Sequence, residues 1–283
     1  YSKVAAGGAE YDVVIPSDYM IARMIEEDML EPLNFDNIPN FADIDPNLLN
    51  PAYDPENLYS VPYMWGLLGV IYNKTMVDET DLGSWDLMWN EKYADDILMF
   101  DNSRDAIGIG LKMLGYSYNT TDEAQIKEAV DLLVEQKPLV QAYVMDEVFG
   151  KMEGGNAAVG TYYYGDYLTM VENNPDLGFY IPEEGTNTYV DAMCILKGAK
   201  NKENAEAFIN YMCSTEAGLK NCEEIWYSTP LMSVREELDP EVANDPYAYP
   251  DEEIMDKCES YAGLPQNILD LYDSEWTRLK SAT

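Results

Sequence analysis

An α/β fold with parallel strands is predicted by three features of the chain. β-Branched runs alternate with runs of helical period, turns separate them, and acidic and aromatic residues gather where the extended runs end. Ligands of such sheets usually sit outside the carboxyl ends of the strands. Ser17, Asp101 to Asp105, Tyr162 to Tyr164 and Tyr189 to Asp191 all fall at or near such ends. With 283 residues and 47% hydrophobic content the chain can bury a substantial core, and its length suits two lobes better than one.

In order along the chain, YDVVIPS (Tyr11 to Ser17) reads as a strand. DYMIARMIEEDML then carries apolar residues at helical spacing, with Ser17 or Asp18 as N-cap. YSVPYMWGLLGVIYN (Tyr59 to Asn73) is a long apolar extended stretch, and SWDLMW leads into a turn. ILMFD (Ile97 to Asp101) is a strand feeding a helix through Leu114, and TTDEAQIKEAVDLLVEQ opens with a capping box from Thr120 to Glu123. NAAVGTYYYG and GFYIPEEG read as short strands on either side of a helical segment, Asp166 to Glu172. TYVDAMCILKG is a further strand, and KENAEAFINYMCSTEAGLKNCEEI is two helices split near Ser214.

The charge is one-sided: 53 Asp and Glu against 17 Lys and Arg give a formal net charge of -36, with no histidine. Nucleic acid and anionic membrane surfaces are poor partners for such a chain, since both need a basic face. A diffusing polycation would be drawn in, although the same charge also serves simply to keep an exported protein in solution. No apolar run reaches the roughly 18 residues that span a bilayer, so no membrane span is expected. The opening YSKVAAGGAEYD lacks the basic, apolar and small-residue succession of a signal peptide.

Most catalytic templates are excluded. Without histidine there is no Ser-His-Asp or Cys-His constellation and no HExxH zinc site, and GxSxG, Walker and GxGxxG motifs are missing. A glycosidase needs only two carboxylates, so an acidic glycosidase stays open. Asp43, Asp45, Asn47 and Asp54 occupy calcium-loop positions, but Leu48 stands where the sharp turn needs glycine, so the segment reads as a polar loop. Cys194, Cys213, Cys222 and Cys258 form no metal-binding spacing. Cys213 and Cys222 are either a local disulfide or buried thiols. Neither a metal nor a cofactor is expected.

The 23 tyrosines exceed the usual need of a core, because each buried hydroxyl requires a partner. In TYYYGDY, one reading sends Tyr162 and Tyr164 into the core and Tyr163 and Tyr167 outward. On the other, the rings bracket an alkyl-ammonium chain, each face attracting the charge by about 0.5–2 kcal/mol while carboxylates pair with the ammonium groups.

YDVVIPSDY, YSVPYMWG, SWDLMW followed by EKY, DNSRDA before LGYSYNTTD, YVDAM, WYSTP and DPEVANDPYAYPDEE together carry a resemblance over nearly the whole chain. In order and spacing they resemble the spermidine/putrescine-binding proteins of ABC importers, within the extracytoplasmic solute-binding superfamily. The resemblance implies a two-lobed periplasmic-binding-protein-like fold of type II. Each lobe would be a mostly parallel sheet flanked by helices, with the ligand in the interlobe cleft. One lobe would comprise residues 1–70 and 190–236, the other 71–189 and 237–283. It also implies a receptor without chemistry of its own, outside the cytoplasm, held at the surface by a lipid anchor beyond this chain in some settings, and serving importer permease subunits. The expected ligand-contacting residues are Ser17, Tyr19, Asn102, Asp105, Tyr163, Tyr189, Asp191 and Tyr227. Asp105 and Asp191 would pair with ammonium groups, and Asn102 stands where the spermidine binders carry an acid. Gln266 is a weaker candidate. Relative to the family, roughly forty residues are expected before Tyr1, and their loss would leave an open sheet edge in the first lobe. A receptor for a sugar remains the alternative, since aromatic platforms also stack on pyranose rings.

Overall fold

A computed structural model describes residues 1–7 and 10–282. Among them are strands β1 (Val13–Val14), β2 (Ser60–Asn73), β3 (Ile97–Phe100), β4 (Val140–Val144), β5 (Val159–Tyr163), β6 (Leu177–Tyr180) and β7 (Thr188–Ile195). The chain divides into two compact units: Tyr1–Gly66, Tyr189–Tyr249 and Ser260–Gly263 form unit 1, and Leu67–Thr188, Pro250–Glu259 and Leu264–Thr283 form unit 2. Strands β2 and β7 each begin in one unit and end in the other.

In unit 1, β1 pairs antiparallel with the end of β7, Val13 opposite Ile195 and Val14 opposite Cys194. The expected Tyr11 to Ser17 strand is thus paired over only two residues, because Pro16 has no N–H to offer a ladder and Ser17 turns into the helix Asp18–Glu26. Beneath β7 lies an apolar core that includes Ile38, Ile44, Val61, Met193, Ile209 and Val234. Buried carboxylates tie loops to this core. Glu206 accepts from the Asn34 N–H at 2.9 Å and from Asn37 Nδ2 at 2.6 Å. Asp54 accepts from the N–H groups of Leu58, Tyr59 and Ser60, each at 3.0 Å. Asp45 caps its own turn through the Asn47 N–H, and Asp43 accepts from Ser233. The acids of the 43–54 loop are therefore occupied by the fold, in keeping with a polar loop.

Cys213 and Cys222 are free thiols. Cys213 belongs to the core and Cys222 packs against it from the next helix. Burial pushes the Cys213 thiol up to about 12 and the Cys222 thiol up to about 11, so both stay protonated and unreactive.

Unit 2 holds a five-stranded array in the order β6-β2-β5-β3-β4. The expectation of mostly parallel pairing needs correction here. β3 lies parallel to β4 and β5, but β2 is antiparallel to both β5 and β6. The strands that follow one another through helices within the unit all run the same way, as their order predicts. β2 arrives from unit 1 and inserts between β5 and β6 in the opposite sense, a pairing no local pattern records. β3 is fully buried along its length, as befits a central strand with parallel neighbours on both sides.

Behind β3, helix Ser103–Met113 packs against helix Glu123–Gln136, with Ile107, Leu111, Ala129 and Leu133 buried. The capping box is also corrected: the N-cap of the second helix is Asp122, whose carboxylate accepts from the Ala124 N–H at 2.8 Å. Thr120 instead donates to Gln125 at 2.6 Å. A carboxylate next to the first helical N–H groups is the stronger acceptor and suits the positive end of the helix dipole. Tyr162 and Tyr164 are buried while Tyr163 and Tyr167 are half-buried, the alternation read from the sequence. Among the described residues no helix is long and apolar enough to cross a membrane.

Candidate functional site

The candidate residues fall into two sets, one on each unit. On unit 1, β7 presents Tyr189 and Asp191 on one face by its two-residue period, near its amino end and not at the carboxyl end expected from the sequence, and the turn before helix Asp18–Glu26 brings Ser17 opposite Asp191 in an antiparallel bridge. Ser17 is the helix N-cap, yet its hydroxyl does not cap. It donates to Asp191 Oδ1 at 2.7 Å. Burial raises the Asp191 pKa above its ordinary value, and the Ser17 hydrogen bond offsets this only in part. A carboxylate in this state is costly to keep charged, and a cation beside it would lower that cost.

Tyr189 is 7% exposed and meets Tyr227 edge to face, with ring centroids 5.4 Å apart and planes at 68°. Its ring occupies space that only a glycine at 66 leaves open: a Cβ built on Gly66 would lie 2.6 Å from the Tyr189 hydroxyl. Tyr227 is aimed by its neighbours. Trp226 ends helix Thr215–Ile225 in the left-handed conformation, φ 64°, where a bulky residue is unusual. Ser228 then bridges Trp65 in β2 and donates to the Ala248 carbonyl at 2.7 Å.

Tyr19 stands in the first turn of its helix with its ring edge-on to Tyr261, centroids 6.0 Å apart at 84°. Between them is Asp18, fully buried, which accepts from the Tyr19 N–H at 2.7 Å and the Tyr261 N–H at 3.4 Å. The sequence offers Asp18 only as a cap and gives Tyr261 no role. Tyr53, 2% exposed, was also missed. Its hydroxyl is buried within electrostatic reach of Asp18 and Asp191, and burial first, then those acids, push its pKa upward.

On unit 2, Asp105 sits in the first turn of helix Ser103–Met113, where the N-terminal dipole favours a carboxylate. It is 3% exposed and accepts from the Tyr163 hydroxyl at 3.3 Å. Tyr163 ends β5 against Phe100 and Tyr162, at centroid distances of 5.5 and 4.9 Å. Asn102 is brought beside Asp105 as the N-cap of its helix, its Oδ1 accepting from the Arg104 N–H at 2.9 Å. With that oxygen engaged, Asn102 orients the helix start. Gln266 is not brought in: exposed, it donates to Asp270 at 2.7 Å.

A surface cavity of about 570 Å³ on unit 1, lined in part by Glu10, Asp12, Glu27, Lys197 and Lys200, contains none of these residues. Its charged groups have partners in unit 1: Lys200 pairs with Glu10 at 2.6 Å, Lys197 with Asp28, Glu27 with Arg23 at 2.9 Å, and Asp12 accepts from Asn201 at 2.9 Å. Among the described residues no group of three or more Cys, Asp or Glu is placed to hold a metal ion.

Residues 10–258 match the family described as bacterial extracellular solute-binding protein. The chain is 34% identical over 273 residues to the spermidine/putrescine-binding periplasmic protein of Escherichia coli strain K12, covering 96% of this chain and 78% of that protein. With its counterpart from Salmonella typhimurium it is 34% identical over 249 residues, 88% of this chain and 72% of the other. Among solved structures, a spermidine/putrescine ABC transporter substrate-binding protein from Streptococcus pneumoniae superposes with a TM-score of 0.89 at 40% identity, covering 99% of this chain and 86% of that one. A putative spermidine/putrescine ABC transporter protein from Listeria monocytogenes gives 0.92 at 36% identity, covering 100% and 87%.

Proposed function

The chain belongs to the bacterial extracellular solute-binding protein family, and from that premise we propose that it is the receptor that captures the polyamines putrescine and spermidine for an ABC importer. The family consists of solute-binding proteins rather than enzymes, so the glycosidase reading falls away. The receptor works outside the cytoplasm, where it hands its ligand to permease subunits.

The observation that carries this reading is Asp191. It is a desolvated carboxylate with a single hydroxyl donor, on the same strand face as Tyr189 and its partner ring Tyr227. On unit 2, Asp105 and Tyr163 repeat the combination of acid and ring. An acid beside aromatic faces, as each unit offers, matches a ligand with ammonium groups joined by methylenes. The rings desolvate the methylenes and attract the charge, and the carboxylates pair with the ammonium groups. An ion pair at 4 Å in an effective dielectric near 20 is worth about 4 kcal/mol before desolvation, against about 8 kcal/mol for micromolar affinity. Each acid therefore carries a large share.

The test is calorimetric titration with putrescine and spermidine at low and moderate salt. Binding that weakens as salt rises is expected, because screening acts on charged ligands and barely on neutral sugars. Absence of binding by either amine would overturn the reading.

A further inference from the structure

Glu259 joins the helix that carries Asp105 to three of the places where the chain passes between units. Those passages are Gly66 to Leu67, Thr188 to Tyr189 and Glu259 to Ser260. Just inside unit 2, their backbones are stitched together. The Leu68 N–H donates to the Asn187 carbonyl at 3.1 Å, and the Thr188 N–H donates to the Glu259 carbonyl at 3.0 Å. The Glu259 N–H donates to the Thr186 carbonyl at 3.0 Å, and Asn187 Nδ2 donates to the Glu259 carbonyl at 3.0 Å. Asn187 itself is fully buried.

The Glu259 side chain faces the other way along this junction. Its carboxylate takes Lys112 Nζ at 2.6 Å and the Ser117 hydroxyl. Lys112 lies in the last turn of helix Ser103–Met113, whose first turn holds Asp105. Among the described ion pairs this is the one with both side chains less than a third exposed, at 12% for Lys112 and 27% for Glu259. The helix is held tightly on the same side, since a Cβ on Gly108 would come within 2.2 Å of the Tyr118 ring. Burial alone would raise the Glu259 pKa, but the Lys112 and Ser117 hydrogen bonds outweigh it and leave it lowered, so the carboxylate is charged at neutral pH.

We propose that Glu259 is a positioning residue that couples the Asp105 helix to the three chain passages, so that a cation held by Asp105 changes the stability of the junction at Leu68, Thr188 and Glu259. A rigid helix clamped at its far end to a hydrogen-bonded junction is a contiguous physical route for such coupling. The proposal rests on the polyamine reading for its ligand, but the junction can be probed without one.

The experiment is amide hydrogen exchange on the full chain with and without putrescine, beside calorimetric titration, for the wild type, Glu259→Gln, and the reversed pair Lys112→Glu with Glu259→Lys. Without ligand, Glu259→Gln is expected to speed exchange about tenfold at Leu68, Thr188 and Glu259 while β3 is unaffected. With ligand, putrescine is expected to slow those three amides in the wild type and not in Glu259→Gln. Affinity is expected to fall about fivefold or more in Glu259→Gln and to recover in the reversed pair. Equal protection of the junction by putrescine in wild type and Glu259→Gln, or unchanged exchange there without ligand, overturns the proposal. If wild type binds no putrescine, the polyamine reading fails instead, and ligand-free exchange decides the coupling by itself. Should Glu259→Gln fail to fold, Lys112→Met removes the same ion pair while keeping Glu259 in place, and is judged by the same measurements.

Discussion

The two candidate acids, one on each unit, are kept buried by different means. Asp191 stands on a strand, where the backbone offers no dipole, and relies on one serine hydroxyl. Asp105 stands in the first turn of a helix, where unpaired N–H groups and the aligned peptide dipoles favour negative charge, and it has a tyrosine hydroxyl besides. Burial raises the Asp191 pKa, so a cation arriving beside the strand acid recovers part of the cost of its charge.

The largest test of this contrast is Asp191→Asn. Polyamine affinity is expected to fall more than about tenfold, since a charge-assisted pair is lost. Thermal stability of the free protein should hold or rise. The sign follows from the raised pKa: a carboxylate whose folded pKa exceeds its unfolded one favours folding below the unfolded pKa and loses that contribution as pH rises through the folded value. At neutral pH the charged Asp191 is thus a burden that asparagine removes. A parallel drop in melting temperature and affinity would erase the distinction drawn here.

Gly66→Ala comes next. Its methyl group would meet the Tyr189 ring, so the ring must shift, with an expected cost of about 1–3 kcal/mol in unfolding free energy and a several-fold loss of affinity. Denaturant unfolding beside titration separates the two effects. Ser17→Ala removes the donor that restrains the Asp191 pKa, so affinity should begin to fail at a higher pH as the solution is acidified. Titrations across a pH series check this, and an unmoved profile would show that Ser17 does not govern the acid. The smallest effect is expected from Tyr163→Phe. The hydroxyl bond to Asp105 is long at 3.3 Å and the ring remains, so affinity should change by about threefold or less.

Much of this was legible in the sequence because it is local. The β-branched run through β2 and the strand-to-helix step at Asp101 to Ser103 show their type within a few residues. Ser17, Tyr189, Asp191 and Tyr227 were named from motifs that the fold then gathers on unit 1. What escaped is non-local. The sense of β2 depends on its insertion between β5 and β6, and the Asp18 bond to Tyr261 joins residues 243 positions apart. Asp122 was overlooked as a cap because Thr120 offers an equally good local pattern, and only the position of the first helical N–H decides between them. Tyr53 carries no motif at all, and its significance comes from burial beside acids that are distant in sequence.

Trp226 has a consequence for how this protein can be watched. It is 41% exposed, while Trp85 is fully buried and Trp65 is 7% exposed, and it immediately precedes Tyr227 in a tight, left-handed turn. A solvent-facing indole emits further to the red than an enclosed one and is open to collisional quenchers. The quencher-accessible part of the emission therefore draws most on Trp226, the most exposed tryptophan among the described residues, and provides a built-in optical reporter one peptide bond from a candidate ring, with no label to attach.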